Sequence, residues 1–449
     1  MMNEPITIST PVRFQDPLPQ AVDVTIIGGG VIGVFAALSL ARAGKRVLLC
    51  EKGRIAGEQS SRNWGWIRQQ GRDVAELPIM MRALVLWHEV DAETNGACGV
   101  QTGGTCYMAS SNAAEEENAQ WIKIAAEHNL ESRLMTAGEV HDHFGGHATR
   151  QWKGGLITPS DARAEPWNAV PTVAKLAQQK GALIRENCAV RALDFAAGCV
   201  TGVVTETGRV KSERVILAAG AWSSLFARRH GISFPQLTLR GTVARTASLP
   251  QVFNGSACDE KLAIRRRQDG GYTLALVDRH SMFIGPDAFR HAKPYLPLLK
   301  SSWRTLSIWP AQPRGFPDGW TTPRKWSEDE VTPFEVTRVL EPKPSQAQVA
   351  RMAKRFAARF AGLGKPVIKT AWAGMIDAMP DVVPIVDNVP GRDGLIVATG
   401  MSAHGFGIGP GYGEILAKLA TGAQPGFDLS RFRFSRFSDG STLEIGPEL

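Results

Sequence analysis

Val22-Asp23-Val24-Thr25-Ile26-Ile27-Gly28-Gly29-Gly30-Val31-Ile32-Gly33 is the stretch that decides the fold. Val22 to Ile27 reads as a short buried strand, since β-branched residues fill it and glycines end it. A helix follows: Val31, Val34, Phe35, Leu38 and Leu40 supply its apolar positions up to Ala43, and Gly44 stops it. Val47-Leu48-Leu49-Cys50 forms the next strand, which ends at Glu51 and completes a βαβ unit. Gly28 permits the tight turn, Gly30 lets the backbone approach a pyrophosphate, and Gly33 lets the helix pack on the sheet. Val31 and Ile32 open the helix, whose N-terminus faces phosphate. Glu51, about twenty residues after the glycines, is placed to accept hydrogen bonds from adenosine ribose hydroxyls, and its charge disfavours a 2′-phosphate.

Farther out, Val200 to Thr205, a turn at Thr207-Gly208 and the strand Val215 to Ala218 read as a meander returning to a sheet at Ala219-Gly220-Ala221-Trp222. Leu395 to Gly400 is another buried strand, followed by glycines at 405, 407, 409, 411 and 413 and a helix predicted from about Glu414 to Thr421. One glycine-rich helix N-terminus can hold the pyrophosphate, so a second at the same sheet edge needs a different anionic client. A flavin that takes a hydride gains negative charge around N1, which backbone N–H donors stabilise. NAD makes no such demand, so the two loops favour FAD. The pattern predicts a mixed α/β fold: a Rossmann-like FAD-binding domain over 1–85, 151–235 and 365–449, interleaved with a substrate-binding domain over 86–150 and 236–364 built on an antiparallel sheet. Gln346 to Phe360 reads as a helix with a basic solvated face.

At 449 residues, 43% hydrophobic and 21% charged, the chain affords two large interleaved units and is neither disordered nor collagenous. Subtracting 43 acidic from 51 basic side chains leaves +8. That excess suits anionic cofactors or substrates but is too diffuse for nucleic acid. Six cysteines without a C-x-x-C pair point to a reducing cytoplasm. His141, His143 and His147 have no carboxylate or cysteine at ligand spacing and read as a surface loop, so no metal is expected. No apolar run approaches the roughly 18 residues of a spanning helix, and residues 1–20 carry no signal-peptide pattern. The chain is expected to be cytoplasmic, or peripheral to a membrane.

Gly28 to Glu51, the following Lys52 and Ile55 to Arg62, the Val215 to Trp222 strand and turn, and Gly400 to Gly413 resemble the FAD-dependent D-amino acid oxidase superfamily, which includes glycine and sarcosine oxidases. Glu51 to Arg62, Lys293 to Leu299 and Thr332-Pro333-Phe334-Glu335 look most like the bacterial membrane-associated L-amino acid deaminases. The resemblance implies an extended FAD with its ring at the domain interface. Ser60, Ser61 and Arg62 would lie near the pyrophosphate and ribityl chain, Val190 and Ala219 beside the adenine end, and Gly405, Phe406, Gly407 and Ile408 against the flavin ring, with Asn63, Trp64, Gly220, Trp222 and Gly374 as further cofactor-binding residues. The deaminases begin with a membrane-anchoring helix that has no counterpart here. No cysteine follows Cys258, so the covalent flavin link that sarcosine oxidases make from this region is absent and FAD is expected to be noncovalent.

Where glycine oxidase-like members carry a carboxylate-clamping arginine, this chain has Met375-Ile376-Asp377. The deaminase pattern places that arginine in Leu262 to Gly270, with Arg265 as the aligned residue and Arg267, two positions on and so on the same strand face, as the alternative. A guanidinium matches a carboxylate with two parallel hydrogen bonds. His404 could tune substrate or flavin protonation or merely pack, and Asp377 could face an amine or cap a turn. Trp64, Trp66, Trp326 and Trp372 could line an apolar cavity or lie in the core. The expected reaction passes a hydride from Cα of an amino acid, L favoured, to FAD and gives an imino acid that hydrolyses to a 2-oxo acid and ammonia, with oxygen or a quinone-type carrier as acceptor. Oxidation of an N-substituted, sarcosine-like or opine-like amine, or non-catalytic electron transfer, stands as the alternative.

Overall fold

The computed structural model describes residues 4–303 and 305–447, apart from the side chains of Ser301 and Ser302. Its first sheet has eight strands and is centred on β1 (Ala21–Ile27). Helix α1 (Val31–Arg42) leads from β1 to β2 (Val47–Cys50), which pairs parallel with one edge of β1, while Gly208–Leu217 pairs parallel with the other. Ile27 stands opposite both Cys50 and Leu217, and Val397 opposite Leu217 in turn. The strand ends are therefore level, and the loops after them, Gly28–Gly30, Glu51, Ala218–Gly220 and Gly400, meet at one edge. Ligands of open α/β sheets bind at such an edge. Val215 to Leu217 belong to the single long strand Gly208–Leu217. Its first half pairs antiparallel with Cys199–Thr205 and its second half runs along β1.

The second sheet has ten strands, mostly antiparallel. Leu237–Thr246 and Ile368–Ala378 pair along almost their full length, from Leu237 opposite Ala378 to Thr246 opposite Ile368. Tyr272–Leu276 and Leu262–Arg266 continue the sheet beyond them. Gly154–Thr158 and Ile368–Ala378 lie in this sheet, although 151–235 and 365–449 read as nucleotide-binding stretches. Antiparallel pairing with Thr105–Ala109 and Leu237–Thr246 recruits them.

The C-terminal helix runs over Gly405–Ala420, so the glycines expected in a loop before Glu414 are its first turns. Glycine is a poor helix former, worth about 1 kcal/mol per residue against alanine, and close approach explains its presence here. A Cβ on Gly409 would stand 2.7 Å from Val31 Cγ2, one on Gly411 2.7 Å from the Ile79 carbonyl, and one on Gly413 2.5 Å from Phe35 Cβ. The helix thus lies directly on α1 and on α3 (Leu77–Glu93), and Trp87 Nε1 of α3 donates to the Gly407 carbonyl at 2.9 Å, 320 residues along the sequence.

His141 and His143 end a short helix, Ala137–His143, instead of lying in a loop, with a Thr136/Glu139 capping box at its start. Helix Gln346–Arg359 buries Val349, Met352 and Phe356 as its period requires. Its basic side is not wholly solvated, because Arg359 is buried and pairs with Asp259 at 2.6 Å. Among the described residues no helix is long and apolar enough to cross a membrane.

Replacing Gly413 with alanine is expected to cost about 1–3 kcal/mol through overpacking, read as a lower denaturation midpoint. Gly362→Ala, where an added Cβ meets nothing within 4 Å, is expected to leave it unchanged.

Candidate active site

The cleft at the level strand ends is lined by Gly28, Gly30, Val31, Ile32, Glu51, Lys52, Ser60, Asn63, Val190, Ala219, Gly220, Trp222, Asp377, Gly405 and Phe406. At one end Gly28 has φ +112°, and a Cβ there would stand 2.4 Å from the Ala218 carbonyl. Ser60 Oγ, from α2 (Gln59–Arg62), accepts from Val31 N at 2.9 Å and caps α1 from outside the helix. Glu51 accepts from Gly29 N and Gly53 N, each at 2.7 Å. Burial pushes its carboxyl up to about 7, past the opposing pull of Lys52 and those two amides. Lys52 Nζ donates to Glu58 at 2.6 Å and lies 4.5 Å over the Trp222 ring, whose Nε1 also donates to Glu58, closing the wall.

At the other end Asp377 Oδ2 accepts from Gly400 N at 2.8 Å and Met401 N at 3.2 Å. It caps the turn at which Ser402 and Ala403, neither a glycine, take φ +46° and +67°. Such left-handed residues cluster where a site over-determines the backbone. Ser61, Gly33, Gly374 and Ile408 do not line the cleft. Ser61 Oγ holds Ile6 N at 3.1 Å, Ile408 is fully buried in the core, and Cβ atoms on Gly33 and Gly374 would meet Gly28 O and Gln59 Oε1 at 2.0 and 1.9 Å. They set spacing behind the wall.

Two helix N-termini, those of α1 and of Gly405–Ala420, thus open on one elongated cleft that has the half-buried Glu51 carboxylate at its α1 end. A dinucleotide with a second anionic centre fits this donor set.

A second cavity of about 600 Å³ adjoins the cleft, and Gln59, Asn63, Ala403 and Phe406 line both. Its walls carry Trp64, Trp66, Tyr107, Trp121 and Ile376, its cations are Arg62, Arg68, Arg72 and Arg279, and His404 and Gly407 face it as well. Burial lowers the His280 imidazole on this wall to about 4, so it stays neutral at physiological pH. Trp326 and Trp372 lie in the core.

Arg265 and Arg267 line neither cavity, which corrects the carboxylate-anchor expectation. Leu262–Arg266 is an interior strand, where a guanidinium has to be fully paired. Arg265 closes both Nη atoms on Glu165 at 3.0 Å and gives Nε to the Trp64 carbonyl. Arg267 follows the strand, pairs with Asp269 at 2.9 Å and stacks 4.7 Å over Trp167. Glu165 is 100 residues away, and nothing local in the sequence marks it as a partner. Of the cavity arginines only Arg62 stands in a motif legible in the sequence, with an expected place near the pyrophosphate and ribityl chain; it lines this cavity instead, and Arg68, Arg72 and Arg279 lie outside every such motif.

This site defines an FAD-binding oxidoreductase. A model of the family described as FAD dependent oxidoreductase matches residues 23–419, and the chain belongs to that family, with FAD as its cofactor. The L-amino acid deaminase of Proteus myxofaciens, solved with anthranilate, is similar over 97% of this chain and 98% of its own, at 27% identity and a TM-score of 0.91. The N-methyl-L-tryptophan oxidase of Salmonella arizonae is 24% identical over 93% of this chain and 99% of its own length. Mitochondrial dimethylglycine dehydrogenase of Mus musculus is 24% identical over 94% of this chain. The chain spans about half the length of that relative, 45%.

Hydrogen bonds from ribose hydroxyls favour ionised Glu51, so FAD uptake is expected to release a proton below its raised pKa. Affinity of the FAD-free protein for FAD, followed by flavin fluorescence, should rise with pH by up to about tenfold per unit below 7 and level off above it. Glu51→Gln should weaken binding and flatten the profile.

Proposed function

We propose that the protein oxidises an amino acid at Cα, L favoured, to an imino acid that hydrolyses to a 2-oxo acid and ammonia. The observation that carries this reading is the 600 Å³ cavity walled in part by the same four residues as the FAD cleft. Bound FAD supplies the hydride acceptor. The chain supplies orientation: Arg68 and Arg279 are the cations we assign to the substrate carboxylate. Both line the cavity, and Arg68 Nη1 donates to the Gln70 carbonyl with its guanidinium over the Tyr107 ring, contacts that hold it at the cavity wall. Trp64, Trp66 and Phe406 surround the side chain and exclude water, and a volume of this size suits large apolar side chains better than glycine. Similarity to the deaminase supports the L preference.

A second reading, oxidation of an N-methyl amino acid with release of formaldehyde, is favoured by the similarity to N-methyl-L-tryptophan oxidase. Either reading uses noncovalent FAD with oxygen or a quinone-type carrier as acceptor, in the cytoplasm or at a membrane surface.

Anaerobic mixing with L-, D- and N-methyl amino acids separates the readings. Bleaching by large L-amino acids with ammonia released is expected; bleaching confined to N-methyl substrates with formaldehyde released would replace the first reading by the second. Arg279→Ala and Arg68→Ala should each raise KM at least about tenfold with FAD content unchanged, the cost of losing a charge-assisted hydrogen bond. An unchanged KM in both would refute the anchor assignment.

A further inference from the structure

Arg72 is a buried cation in an electrostatically unfavourable place. It is 5% exposed, its Nη1 donates to the His404 carbonyl at 3.0 Å, its Nε donates to the Arg68 carbonyl at 3.2 Å, and its Nη2 lies 3.3 Å from where a Cβ on Gly407 would be. This is the first turn of Gly405–Ala420, the positive end of a 16-residue helix with no acidic residue in that turn. A cation there opposes the helix dipole.

Its counter-charge is loose. Glu76 Oε2 stands 3.6 Å from Arg72 Nη1 and makes no hydrogen bond, while Oε1 accepts from Tyr412 at 3.1 Å. Burial disfavours both charged forms, lowering the guanidinium and raising the carboxyl from their ordinary values. Two like-signed elements, the helix end and Arg72, are therefore held together with incomplete compensation. Neighbouring Gly405 and Phe406 line the cofactor cleft. A guanidinium held in this way is stabilised by negative charge that arises beside it.

We propose that Arg72 places positive charge beside the flavin ring and so raises the reduction potential of bound FAD, with Glu76 and Tyr412 as positioning residues that hold its guanidinium there. This rests on the reading that the ring lies at the Gly405 end of the cleft. It makes a prediction in sign that a merely structural clamp does not. Arg72→Met removes the cation, whereas Glu76→Gln keeps the shape and removes the opposing charge, so the two should move the flavin in opposite directions.

The test compares FAD-loaded wild type, Arg72→Met, Arg72→Lys and Glu76→Gln, reading midpoint potential by dye-coupled reductive titration and affinity for sulfite, which adds to flavins and leaves negative charge on the ring. Arg72→Met should lower the potential and weaken sulfite binding about tenfold. Arg72→Lys should lie between it and wild type, and Glu76→Gln should raise the potential and tighten sulfite. If Arg72→Met does not retain FAD, the signs for Arg72→Lys and Glu76→Gln decide. Unmoved values with FAD bound, or shifts of the same sign in the arginine and Glu76 variants, would overturn the inference and leave Arg72 as a clamp on the His404 carbonyl. No amino acid enters these measurements, so a protein that shows the sign split yet oxidises none of the panel overturns the substrate reading alone.

Discussion

Two helices that begin at the same cleft have to pass one another closer than side chains allow. Gly409 and Gly413 meet Val31 and Phe35 of α1 at distances where a Cβ would collide, and Gly411 meets Ile79 of α3 in the same way. That contact places the N-termini of α1 and Gly405–Ala420 together at the level ends of the parallel strands. Two positive helix ends at one edge repel, and an extended anionic cofactor resolves the repulsion. The cleft, the strained turn capped by Asp377 and the cavity beyond it all take their positions from this contact.

The part of the fold legible in the sequence is the part written locally. From Val22 to Glu51 each residue type serves a neighbour within one strand, turn or helix, and the βαβ unit lies where its pattern places it. The C-terminal glycines mislead because helix propensity is a local quantity, while the reason for glycine there sits on α1 and α3. Gly154–Thr158 and Ile368–Ala378 mislead likewise, since their sheet is chosen by partners distant in sequence.

The candidate site divides along the same line. Most of the residues expected at the cofactor belong to local motifs, and many of them line the cleft. The substrate side depends on which arginines are already paired, and pairing is tertiary. Arg265 and Arg68 are equally cationic in the sequence. Glu165 consumes the first, and the second faces the cavity. Burying a guanidinium without a partner is costly, so the position of a carboxylate such as Glu165 decides an arginine's role and residue type does not.

The bond from Trp87 to the Gly407 carbonyl spans 320 residues. Such a contact can close only after residue 407 has been made. During synthesis the first βαβ unit emerges with a ribose acceptor and one helix N-terminus but without the second helix or the strand Leu395–Thr399. Until the last elements dock, α1 presents an apolar face to solvent where Gly405–Ala420 will lie. The complete cleft therefore exists only once these last elements have docked, and a nascent chain stalled before residue 395 carries half a cleft and an uncovered core.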